Sequence, residues 1–92
     1  MMAQNYPNPF NSATVIPVIV PQDNTQGRVE ISVYDIQGRR IRQLLNEPIP
    51  PGSYMIRWDG RSDQGRSVAS GVYVSILKAR GSVQTAKMVL IR

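Results

Sequence analysis

Short stretches of this chain alternate apolar and polar side chains at a period of two, and clusters of Gly, Pro, Asn and Asp cut each one off. Period two sends successive side chains to opposite faces of an extended backbone, so such a stretch buries one face as a strand and cannot do so as a helix. Arg28 to Asp35 is the clearest case: Val29, Ile31 and Val33 point one way, and Glu30, Ser32 and Tyr34 the other. Ser53 to Asp59 repeats the pattern, with Tyr54, Ile56 and Trp58 inward and Met55 and Arg57 outward. Thr14 to Val20 is β-branched and strand-like, but Pro17 lies inside it and marks an edge or a bulge.

The turns complete the outline. Pro21 to Gly27 reads as a polar turn. Asp35-Ile36-Gln37-Gly38 reads as a tight turn with Gly38 at the positive-φ position, leading into a strand over Arg39 to Leu45 with Ile41 inward. Asn46 to Gly52 holds Pro48, Pro50 and Pro51 and reads as a loop, and Asp59 to Arg66 is dense in turn residues. Gly71 to Ala79 and Val83 to Ile91 form a final pair of strands around Arg80-Gly81-Ser82. In residues 1–13, Pro7 and Pro9 bias Tyr6 and Asn8 to extended backbone, so this part is an extended leading segment without regular structure. Six or seven strands with no helix predict an all-β, two-sheet sandwich over residues 14–92, and the whole of 1–92 reads as one module.

Composition narrows the function classes. The chain has no cysteine and no histidine, so it lacks thiolate ligands, a disulfide framework, the commonest general base and the usual triad partner. With only six carboxylates beside that, the sequence predicts a non-enzyme without cofactor. The net charge of +5 permits anionic partners, but the basic residues are scattered apart from Arg39, Arg40 and Arg42. No aromatic residues interleave with those arginines to stack bases, so nucleic acid is not expected. No apolar run approaches the ~20 residues of a membrane span, so membrane insertion is not expected either. Met1-Met2-Ala3 shows no secretory signal, and the module is expected to sit downstream of other domains.

Two groups of residues are weak candidates for chemistry. Asp59 and Asp63 could supply oxygen to a metal such as calcium, but Arg61 stands between them, and aspartates in such a segment more commonly bond nearby backbone amides. Tyr54, Trp58 and Tyr73 could form an aromatic platform for sugar, yet the first two fall on the apolar face and read as core. Tyr6, Phe10 and Tyr34 are freer for a surface role.

Five ordered pieces carry a resemblance. They are Asn5-Tyr6-Pro7-Asn8-Pro9-Phe10-Asn11 with Thr14, Val33-Tyr34-Asp35 with Gly38-Arg39, Trp58-Asp59-Gly60 with Gly65, Ser70-Gly71-Val72-Tyr73, and Lys87-Met88-Val89-Leu90. In this order the chain resembles the type IX secretion C-terminal sorting domain, and equally the related immunoglobulin-like domain of the flagellar hook-capping protein. Ser12, where the family often has proline, and Pro17 are departures. The resemblance implies an immunoglobulin-like β-sandwich of about seven antiparallel strands. It implies a non-catalytic sorting or cell-surface attachment module of a larger secreted bacterial protein. Its partners would be outer-membrane secretion machinery or a surface component, together with upstream domains of the parent protein. The matching recognition residues are Gly71, Val72, Tyr73, Lys87, Met88, Val89, Leu90, Ile91 and Arg92. A carbohydrate-binding accessory module and a passive spacer domain are the alternatives.

Overall fold

The computed structural model describes residues 2–22 and 27–92, and residues 23–26 of the expected Pro21–Gly27 turn lie outside the described residues. Among the described residues the chain forms six strands and no helix: β1 (Thr14–Val20), β2 (Arg28–Asp35), β3 (Arg40–Pro48), β4 (Gly52–Trp58), β5 (Gly71–Ala79) and β6 (Ser82–Leu90). All pairings between them are antiparallel. One sheet has the order β3-β2-β5-β6, and the other pairs β1 with β4.

The alternation in the sequence becomes the sandwich interior. Val29, Ile31 and Val33 of β2 are fully buried, as are Ile16 and Val18 of β1 and Met88 and Leu90 of β6. Trp58 closes this core from the end of β4. Its ring meets Phe10 edge-on at 5.6 Å and Tyr73 at 5.4 Å. Each such pair adds about 0.5–1.5 kcal/mol beyond the area it buries.

Several expectations need correction. Phe10 is 3% exposed and belongs to the core, whereas Tyr6, four residues earlier, is 78% exposed. Six strands form among the described residues, against the about seven that the resemblance implies, and the leading segment, as expected without a regular strand, makes only isolated bridges from Met2, Tyr6 and Phe10 to Val18, Val15 and Leu90. β3 runs on through Pro48, which pairs with Arg28, so the loop before β4 is shorter than its prolines suggest. Register shifts between β2 and β3 let Leu44 and Leu45 pack on the core as well as Ile41. Ser32 is buried on the outer face of β2, because it is a small side chain in the row between Gln43 and Ile76.

The turns follow the expected chemistry. Gly38 has φ +85 in the β2–β3 hairpin. Arg80 and Gly81, both at positive φ (48 and 78), form the two-residue link between β5 and β6 that suits the strands' right-handed twist. Pro17 also has a consistent place. Val15 exchanges both main-chain hydrogen bonds with Tyr6, and the Pro17 carbonyl accepts from Ala3. The odd-numbered residues of β1 therefore turn their backbone to the leading segment and the even-numbered ones to β4. The N–H that Pro17 lacks is absent on the side away from the β1–β4 ladder.

Candidate functional site

The expected recognition residues sit at the junction of β5, β6 and the chain's last two residues, and the fold divides them by side. Tyr73, Met88 and Leu90 point into the core and are buried. Val72, Lys87, Val89 and Ile91 point outward by the same alternation, with Val72 37% and Ile91 55% exposed. Val72 pairs directly with Val89, and Val74 with Lys87 in the next row. At this end the outer face of β5 and β6 thus carries an apolar strip with Lys87 in it, and Lys78 lies further along the same face, opposite Val83. Val74 joins the strip through register, which a search for contiguous motifs does not reveal.

Tyr73 is held at both ends. Its ring packs on Trp58, and its hydroxyl donates to the Ala69 carbonyl at 2.7 Å. Burial pushes its phenol above the usual value of 10.0. Arg92 is also committed. Its main-chain N–H donates to Ser70 Oγ at 2.8 Å, and its guanidinium donates to the carbonyls of Val68 and Gly60, each at 2.7 Å. It clamps the segment between β4 and β5 against the end of β6. Gly60 leaves room for that clamp, since a Cβ there would lie 2.7 Å from Arg92 Nη2.

The free edge of β6 is occupied by the leading segment. Gln4 Nε2 donates to the Lys87 carbonyl and Asn8 Oδ1 accepts from the Val89 N–H, both at 2.9 Å. Phe10 N–H donates to the Val89 carbonyl at 3.0 Å, and Ile91 N–H donates to the Phe10 carbonyl at 2.8 Å. A buried knot holds that segment in place. Asn5 Nδ2 donates to Thr14 Oγ1, whose hydroxyl donates to the Pro7 carbonyl. Backbone pairing of a receptor with residues 87–91 would have to displace these bonds, which leaves the outward side chains as the accessible feature.

The two aspartates proposed as weak metal ligands are turned to other partners. Asp59 accepts from the Arg61 N–H at 3.1 Å and from Arg42 Nη1 at 3.3 Å. Asp63 accepts from the Gln43 N–H, its own N–H donates to the Ile41 carbonyl, and Arg40 lies 3.7 Å away. Asp63 therefore caps the outer edge of β3. The arginines that looked like an anion site are drawn into the same network, Arg39 pairing with Asp35 at 2.9 Å. Three N–H groups, from the main chain of Gln37 and Arg39 and the side chain of Arg39, donate to the Asp35 carboxylate. The backbone bond from Arg39, chief among these, holds its carboxyl below the ordinary value of 3.8. Trp58 and Tyr73 are buried and Tyr54 is half-buried with its hydroxyl on the Pro50 carbonyl, so these three do not make an open sugar platform.

Two facing sheets, Trp58 between them and a tyrosine tied to the preceding loop define an immunoglobulin-like β-sandwich. The family described as the FlgD Ig-like domain matches residues 7–82, and the chain belongs to that family. No curated protein matches the sequence. Among solved structures, dimeric latent PorU from Porphyromonas gingivalis is similar with a TM-score of 0.76 and 20% identity, over 98% of this chain and 9% of that one. PorZ of the same organism, an essential bacterial surface component of its type IX secretion system, is similar with a TM-score of 0.65 and 21% identity, over 99% of this chain and 11% of that one. The chain thus spans about a tenth of each of these structures.

Proposed function

We propose that this domain is a non-catalytic sorting or surface-attachment module of a larger secreted bacterial protein, recognised by type IX secretion machinery through the outer face of β5 and β6. The observation that carries the reading is the extent of the likeness to PorZ, described as a surface component of that system. It runs over 99% of this chain, whereas the family match ends at residue 82, where β6 begins. Val72, Lys87, Val89 and Ile91 would form the recognised strip, with Val74 beside them. Tyr73, Met88, Leu90 and Arg92 would hold it in shape, and Gly71 would start β5.

The test is a transplant. The chain is fused behind a neutral reporter that carries its own inner-membrane export signal, in a bacterium with type IX export. Reporter on the surface or in the medium, dependent on the folded domain, is the expected result. Periplasmic retention with the domain folded would overturn the sorting reading and favour a spacer.

A further inference from the structure

The sandwich protects its strand edges unequally. The leading segment lies along one edge of β1 and the free edge of β6, and Asp63 caps β3 at Ile41 and Gln43. β4 pairs only with β1. The odd-numbered residues of β1 turn their backbone to the leading segment, so its even-numbered residues bond to β4. Their partners are Trp58, Ile56, Tyr54 and Gly52. The alternation of an antiparallel ladder then directs the N–H and C=O groups of Ser53, Met55 and Arg57 away from the sheet. Among the described residues, none of these groups has a hydrogen-bond partner in the fold. Edge strands are usually blunted by proline, lysine, inward charge or a bulge. β4 has no proline, lysine or bulge over its seven residues, its one charge, the exposed Arg57, stands next to its end, and Met55 at its centre is 71% exposed.

We propose that β4 is a pairing edge at which two copies of this chain associate, antiparallel, about a two-fold axis through Met55. What favours a second copy over an unrelated strand is that a two-fold at Met55 sets apolar against apolar and keeps the one charge of β4 off itself. Met55 meets Met55 of the other copy, an apolar contact flanked by Pro17 on each β1. Ser53 meets Arg57, so the one charge on β4 never opposes itself. Tyr54 meets Ile56 on the inner face. Every outward main-chain group of Ser53, Met55 and Arg57 finds its partner across the axis, and two small sheets become one continuous sheet. Such an edge contact is small, so the dimer is weak and reversible. Each copy carries +5, so added salt strengthens the association by screening. The inference stands independently of the sorting reading.

Sedimentation velocity on the full chain, from micromolar to near-millimolar concentration, tests it. The expected result is a concentration-dependent dimer that tightens with salt. Met55→Lys sets like charges against each other on the axis and weakens association by roughly tenfold or more without lowering the melting temperature. Ser53→Asp places a carboxylate opposite Arg57 of the other copy and tightens association, and Ser53→Asp with Arg57→Ser loses that gain. A chain that stays monomeric throughout, or a dimer indifferent to Met55→Lys, overturns the proposal. So does a monomer that captures an extended peptide of another protein at β4.

Discussion

Trp58 joins the leading segment, β5 and the loop after β4 at one buried ring. It is fully buried between Phe10 and Tyr73, and its Nε1 donates to the Arg61 carbonyl at 3.0 Å. Trp58→Ala should cost about 3–5 kcal/mol, a large share of the stability of a domain this small, and chemical denaturation would read it. Asp35 makes a pH-dependent contribution. Its folded pKa lies below its unfolded one, so its bonds stabilise above the ordinary value of 3.8, and that stability is lost as pH falls through the folded value. Asp35→Asn should lower the melting temperature at neutral pH, change little at the acid end, and so flatten the acid limb of melting temperature against pH. Gly60 and Arg92 should couple. Gly60 has φ +72, and Gly60→Ala brings both backbone strain of about 1–2 kcal/mol and a collision with the Arg92 guanidinium. In an Arg92→Ala background only the strain remains, so the double-mutant cycle should be non-additive.

At the scale of the elements, β6 separates the buried core from the proposed recognition face along one strand. Met88→Ala should cost about 2–5 kcal/mol, because the side chain is fully buried. Lys87→Ala should fall within about 0.5 kcal/mol, since it is exposed on the outer face. Thermal or denaturant melts of the two variants check this, and they warn that deleting residues 87–92 tests folding before it tests sorting. The strands themselves were legible, because period two with turn residues between is a local signal. The leading segment was not. Its bonds join Gln4 to Lys87 and Asn8 to Val89 across nearly the whole chain, and Phe10 packs on Trp58. Local pattern carries no trace of such partners. The candidate site was legible as a stretch but not as a face: contiguous motif residues alternate between core and solvent, and only the β5–β6 register joins Val72 to Val89 and Val74 to Lys87.

For the whole molecule, the motifs behind the family resemblance turn out to be largely scaffold. Asn5 and Thr14 form the buried knot, Asp35 ties a hairpin, Gly60 admits Arg92, and Tyr73 anchors the loop before β5. They define the fold, while the surface proposed for a receptor lies in side chains between them. The most direct measurement is export of the reporter fusion plotted against melting temperature for a panel of domain variants. Outward substitutions such as Val72→Ser, Lys87→Glu and Ile91→Ser should abolish surface delivery while leaving the melting temperature near that of the parent. Met88→Ala should lose delivery only in proportion to lost fold. If the outward variants are delivered as well as the parent, the β5–β6 face is not the sorting feature and the account is contradicted.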